Sequence, residues 1–285
     1  MEKKTTQALY HTVIEPKKLL HLNIGEIWRY RDLTWLFVKK DFTLIYKQTI
    51  LGPLWLFLNP LLTTLIYTVV FGGIANISTN GVPKVLFYMA GNALWSFFSD
   101  AISKTATTFR DNAQVFGKIY FPRLTRPISI VIFMGINLAL QLAMFLPFWL
   151  FYLIRGDVHP HWGLIWLLPV IIVFMAAMAL GCGIIVSSVT TKYRDLTIAV
   201  TFGVKLWMYA TPVVYPMATI ENELLRKVIL INPVTQPMEL FRYVLFGEGD
   251  LSAVGLLWSA VFAVVIAIIG MMYFNKVEKT FMDTI

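Results

Sequence analysis

The side chains with chemistry to offer gather on one apolar stretch. Between positions 85 and 109, Asn92, Ser96, Ser99, Asp100, Ser103, Lys104 and Thr107 return every three or four residues, which on a helix makes a single polar face. Asp100 and Lys104 stand four apart, so a carboxylate and an ammonium can pair across one turn and lower the cost of placing both in an apolar medium. Such a face either lines a hydrophilic path or packs small residues against neighbouring helices. Asn137 and Gln141 repeat the four-residue spacing in another apolar stretch, where interhelical hydrogen bonding is an equal use for them. Lys205 lies near the centre of a further stretch, placed to meet an anionic group, to meet Asp100, or to snorkel to an interface. Trp207, Tyr209 and Tyr215 follow it, beside Pro212 and Pro216. They form either the aromatic belt of a membrane boundary or a set of ring faces suited to sugars.

Covalent and phosphoryl-transfer chemistry find no support in the chain. A phosphate-cradling loop needs G-x-x-x-x-G-K-[ST]; around Gly117-Lys118 the first glycine is replaced by Asn112 and the hydroxyl residue by Ile119. There is no Gly-x-Ser-x-Gly elbow and no paired-histidine metal motif. Asp32, Asp41, Asp111 and Asp195 are dispersed, so a membrane enzyme acting on polyprenyl-phosphate sugars, which needs grouped acidic residues, is a distant alternative. A proton-coupled carrier would have Asp100 as its one membrane-buried carboxylate. Cys182 stands alone, which excludes a disulfide within the chain, and the four histidines are scattered.

The elements that must hold these residues are six apolar stretches at 51–74, 85–109, 128–154, 164–189, 196–215 and 252–274. Crossing the hydrocarbon core takes about 20 residues of helix, and each stretch is long enough. Composition agrees: 58% hydrophobic, 15% aromatic and only 14% charged, too little charge to coat a soluble domain of this size. Seventeen Lys and Arg fall on the side of the two termini and five on the other, which places both termini in the cytoplasm. The net charge of +8 is therefore largely topological and calls for no nucleic acid. The first 25 residues lack the apolar run of a signal peptide.

Residues 1–50 read as a cytoplasmic N-terminus with an amphipathic helix in the membrane interface. Ile24, Trp28, Trp35, Val38, Phe42 and Ile45 form its apolar stripe, with Glu26, Arg29, Lys39, Lys40 and Lys47 largely outside it. The basic, aromatic segment RDNAQVFGKIYFPRLTR at 110–126 is too short for a domain and suits contact with a partner, with a short helix expected near 111–115. Residues 216–249 hold two apolar pieces separated by Asn232-Pro233, each too short to span. They are expected to form a re-entrant hairpin, with Thr219 capping its first helix. The fold class is thus an all-α membrane protein, with 51–285 as a six-helix transmembrane domain.

The strings RYRDLTWLFVKKDFTLIYKQTILGPLWLFLNPLL, NAQVFGKIYFPRL, TTKYRDL, LWMYATPVVYP, NPVTQPMELFRYVLFG and VEKTFMDTI, in that order, resemble the permease subunit of bacterial ABC-type polysaccharide exporters, over 27–285. The resemblance implies a type-2 ABC exporter transmembrane domain, working as a homodimer with two copies of a separate ATPase subunit that binds ATP and Mg. Its cargo would be an undecaprenyl-diphosphate-linked glycan of O-antigen type, moved outward across the bacterial inner membrane; teichoic acid, capsule polymer, or another lipid or drug are alternatives on the same machine. By the same resemblance, Asn112, Phe116, Lys118, Tyr120 and Arg123 would couple to the ATPase. Arg29, Arg31, Lys39 and Lys40 would meet the lipid headgroup on an interface gate helix, and Arg194 and Asp195 would occupy a cytoplasmic turn. Trp207, Tyr209 and Tyr215 would form the aromatic rim of the channel, and 217–246 the external gate. The polar path would run through Asn92, Ser96, Asp100, Lys104 and Lys205. The family commonly has Gln where this chain has Lys205, a departure that suits a more anionic glycan.

Overall fold

Helices account for every regular element among the residues that the computed structural model describes, which are 24–47, 52–116, 121–190, 193 and 195–283. In chain order they are α1 (Ile24–Arg29), α2 (Arg31–Tyr46), α3 (Trp55–Tyr67), α4 (Lys84–Thr105), α5 (Thr108–Asp111), α6 (Ala113–Phe116), α7 (Thr125–Ile154), α8 (Leu167–Thr190), α9 (Leu196–Tyr209), α10 (Glu223–Ile231), α11 (Thr235–Phe246) and α12 (Ala253–Asp283). Three of them, α7, α8 and α12, and α3 together with its π-helical extension Thr68–Ile74, are long and apolar enough to cross a membrane. The widened π turn loosens the backbone ladder, and the Lys84 ammonium donates to the Gly72 carbonyl at 2.5 Å across the gap.

The helix read as the second span is the axis of the molecule. α4 packs against α3, α7, α8, α9 and α11, and Leu86, Tyr88, Ala90, Leu94, Phe98 and Ala101 on it are fully buried. Its apolar residues are covered by protein, whereas Lys84, Asp100 and Lys104 stay exposed. It stops at Thr105, short of the expected end at 109, because the backbone bends at Thr107 before α5 begins. α8 and α12 pack tightly through glycine: a Cβ on Gly270 would lie 2.9 Å from the Gly181 carbonyl oxygen, so the small residue sets the separation.

The fifth stretch departs further from expectation. α9 ends at Tyr209, not at 215, because Thr211 precedes Pro212 and that position disfavours helical backbone. Its 14 residues rise only about 21 Å, against the roughly 30 Å of a hydrocarbon core. The irregular chain that follows is covered by protein, with Thr211, Val213 and Val214 buried, the condition under which such backbone is tolerated at membrane depth.

The segment between α9 and α12 forms two helices of unlike character. α10 begins at Glu223 and is capped by Asn222, whose Oδ1 accepts from the amides of Leu224 and Leu225 at 2.9 and 3.2 Å. Thr219 is not the cap: it closes a short 3-10 turn by donating to the Pro216 carbonyl. α10 is exposed over most of its length, with Ile229 turned inward, whereas α11 is buried among α4, α8 and α12.

Near the N-terminal end, α2 lies against α7. Thr34, Phe37 and Val38 turn inward, while Trp28 and Trp35 are 68% and 51% exposed. The apolar stripe read from the sequence therefore divides between two faces, one packed on the protein and one uncovered and tryptophan-bearing, with Leu36 and Leu44 beside it.

Candidate functional site

Asn92, Ser96 and Asp100 do come together. They open on a cleft of about 180 Å³ whose other walls are Trp55, Asn59 and Thr63 from α3 and Asn137 and Gln141 from α7. Ser96 Oγ donates to Gln141 Oε1 at 3.3 Å. Asn137 Oδ1 is buried without a hydrogen-bond partner, and Asn92, 7% exposed, stands on the same cleft. The two amides of α7, which could equally have been packing glue, are walls of the polar site.

Lys104 leaves this group. One turn below Asp100 it lines a second cleft of about 320 Å³ between α2, the α4–α5 bend and α7, with Asp41, Thr107, Thr108, Asp111, Asn112 and Arg126. Its ammonium sits 5.3 Å from the centroid of the Phe133 ring, so Asp100 and Lys104 serve different clefts. Lys205 lines neither; it is on the exposed face of α9 with Phe202 and Leu206. The expected single polar path is therefore two stacked clefts and a separate exposed lysine.

The aromatic trio is likewise divided. Trp207 is wedged edge-on against Trp95 and Phe98, with ring centroids 6.3 and 5.4 Å away, and its indole nitrogen donates to Asn232 Oδ1 at 3.1 Å. Tyr209 is 57% exposed. Tyr215 is half-buried and donates its hydroxyl to the Tyr209 carbonyl at 3.0 Å. Only Tyr209 presents an open ring.

Two residues absent from the sequence-based candidates organise this end of the molecule. Asn232 uses its whole side-chain amide: the nitrogen donates to the Ala210 carbonyl at 2.9 Å and the Thr211 hydroxyl at 2.8 Å, and the oxygen accepts from Trp207 and from the Val234 amide. Arg242, 2% exposed, donates to the carbonyls of Pro212 and Val213 at 2.5 and 2.6 Å and to Glu239 at 3.3 Å, with its guanidinium 3.8 Å from the Phe87 ring centroid. Burial raises the Glu239 carboxyl above its usual range, opposed by Arg242, and burial lowers Arg242 to about 10, opposed by Glu239. A Cβ on Gly91 would lie 2.7 Å from the Val213 carbonyl oxygen, so glycine lets α4 approach this clamp. In the sequence Arg242 reads as an ordinary external charge. The one available signal is an arginine and a glutamate three apart within an apolar helix.

The residues expected at the ATPase and at the lipid headgroup divide between buried and exposed positions. Asn112, Phe116 and Arg123 are buried: Asn112 Nδ2 donates to the Thr108 carbonyl at 2.9 Å, and Phe116 packs on Phe109 and Phe121 beneath the Arg123 guanidinium. In place of one short helix, α5 and α6 meet at Asn112, leaving Arg110, Asp111 and Gln114 exposed. Lys118, Tyr120 and Arg194 lie outside the described residues. Arg29, Arg31, Lys39 and Lys40 are all exposed on α1 and α2, and Asp195 caps the first amide of α9. Beneath them, Arg126 of α7 grips Asp41 of α2 in a bidentate pair at 2.6 and 3.0 Å, both side chains largely buried.

A family model described as "ABC-2 type transporter" matches residues 32–246, from the interface helix to the end of α11. The chain belongs to the ABC-2 type transporter family. It is a multi-pass membrane protein and a transport subunit. Among curated relatives of this ABC-2 chain is the O-antigen export system permease protein RfbA of Myxococcus xanthus, 28% identical over 264 residues, covering 92% of this chain and 98% of the relative. Two proteins of the same name from Klebsiella pneumoniae are 28% and 27% identical, each covering 92% of this chain and 96% of its own length.

Proposed function

We propose that this chain is the channel-forming transmembrane subunit of an ATP-driven exporter of undecaprenyl-diphosphate-linked, O-antigen-type polysaccharide. The observation that carries this reading is the end-to-end similarity to permeases named for O-antigen export, over nearly the full length of both partners. Two copies of the chain, in the bacterial inner membrane with both termini cytoplasmic, work with two copies of a separate ATPase that supplies ATP and Mg. The basic residues Arg29, Arg31, Lys39 and Lys40, exposed on α1 and α2 beside the uncovered Trp28 and Trp35, draw the lipid diphosphate to the interface, each worth about 1 kcal/mol near an anionic surface. The exposed bend between α5 and α6, with the adjoining segment that carries Lys118 and Tyr120, transmits closure of the ATPase. The exposed Tyr209 at the end of α9 offers a ring to passing sugars.

Lys205 on the exposed face of α9 favours one second reading, a glycan with anionic units such as teichoic acid or capsule polymer. Co-purification with the ATPase and reconstitution in proteoliposomes test the proposal. A two-plus-two complex whose hydrolysis and export respond to lipid-linked glycan supports it; absence of any ATPase partner, with turnover of a polyprenyl sugar by this chain alone, overturns it.

A further inference from the structure

Hydrocarbon cannot satisfy what the α3–α4–α7 cleft presents. Its lining holds four side-chain amides, two hydroxyls and one carboxylate: Asn59, Asn92, Asn137, Gln141, Thr63, Ser96 and Asp100. The Asn137 oxygen is buried with its hydrogen-bonding capacity unused, and Asn92 on the same wall is nine-tenths buried. An unsatisfied amide at membrane depth costs several kcal/mol, a cost that a polar occupant of the cleft removes.

The chemistry of the walls selects the occupant. Amides each offer donor and acceptor side by side, which matches the alternating donor and acceptor character of vicinal hydroxyls. A single carboxylate with no cation on the lining disfavours a phosphate, and one acidic group is too few for a metal ion. Trp55, 42% exposed, adds an aromatic face of the kind that stacks on a sugar ring. At about 180 Å³ the space falls below the roughly 300 Å³ of a drug-sized pocket, which is room for one ring and not for a polymer segment.

We propose that this cleft, built within a single copy of the chain, binds one sugar ring at the lipid-proximal end of the glycan. Asn92, Asn137 and Gln141 hold its hydroxyls, Asp100 accepts from one of them, and Trp55 covers its face. The proposal rests on the exporter reading for the source of the sugar, but its site is distinct from the channel rim and from the basic interface residues.

The test places a photoreactive phenylalanine analogue at position 56, on the cleft wall, in the full chain in nanodiscs of phosphatidylethanolamine. Three probes are compared: polyprenyl-diphosphate-linked trisaccharide, polyprenyl phosphate without sugar, and phosphatidylglycerol, whose headgroup also carries vicinal hydroxyls. The expected result is an adduct with the sugar-bearing probe alone. It should fall about tenfold in Asn137→Leu and Asn92→Leu, the loss that accompanies one well-made hydrogen bond, and also in Trp55→Ala, which leaves the buried walls intact should a leucine variant fold poorly. Equal adducts from the sugarless lipids, no adduct from any probe, or adducts indifferent to all three substitutions would each overturn the proposal. Export by wild-type proteoliposomes with the ATPase is read separately, so a chain that exports without a sugar-dependent adduct refutes the cleft and spares the exporter reading. A chain that gives the adduct and exports nothing does the reverse.

Discussion

At the scale of single residues, burial separates side chains that hold the molecule together from those free to meet a cargo. Arg242 is the strongest case of the first kind, since its removal leaves the buried Glu239 carboxylate without its cation, with the Asp250 amide still donating to it. Arg242→Ala should cost about 3 kcal/mol or more of stability, seen as a lower melting temperature of the detergent-purified chain. Arg242→Lys should recover little, because one ammonium does not reproduce the planar fork that spans two carbonyls and a carboxylate. Trp207 and Tyr209 make a sharper comparison. Trp207→Phe keeps a ring against Trp95 but loses the bond to Asn232, a stability loss of about 1 kcal/mol. Tyr209→Ala, at an exposed position, should leave the melting temperature unchanged and lower glycan export. If Tyr209→Ala exports normally, the ring does not touch the cargo.

At the scale of elements, the fastening of α2 to α7 is the contact that a charge substitution tests most directly. The Asp41–Arg126 pair, with Arg126 also 5.4 Å from the centroid of the Phe37 ring, is the polar anchor of an otherwise apolar contact. Asp41→Asn should weaken it by about 1–3 kcal/mol, making α2 more accessible to protease in membranes. The charge exchange Asp41→Arg with Arg126→Asp should restore part of the protection. Unchanged digestion in both variants would mean that the apolar face alone holds the helix. The position of α2 was legible in the sequence, but not which side faced inward, because both of its sides carry large apolar residues. Trp28, Trp35, Val38, Phe42 and Ile45 read as one stripe facing the membrane interface; Trp28 and Trp35 are uncovered, whereas α7 meets the face of Phe37 and Val38. The end of α9 was misjudged for a comparable reason. Apolar composition continues to Tyr215, but backbone restriction before Pro212 ends the helix, and composition does not register that.

At the scale of the whole molecule, α9 presents an unpaired row of Ile198, Phe202, Leu206 and Tyr209, 76%, 62%, 52% and 57% exposed. In the homodimer proposed above this row meets a second copy. A cysteine at 202, in a background where the native Cys182 is changed to Ser, should cross-link two chains on oxidation in native membranes. A cysteine at Val254, exposed at the far end of α12, should not. Cross-linking at both positions or at neither would remove α9 from the interface.

The sequence by itself determined the class of the protein, because the apolar length needed to cross a bilayer and the asymmetry of Lys and Arg are local, additive properties of a chain. It also placed Asn92, Ser96 and Asp100 on one face, since helical periodicity alone requires that. Only the tertiary structure decided what that face meets. It brought Asn59 and Asn137 to the same cleft from two other helices and sent Lys104 to a different one. It also turned Arg242 from a surface charge into a buried clamp on carbonyls thirty residues away. Those outcomes depend on which helices pack on α4 and at what depth, and no spacing within one segment encodes the partner across the gap.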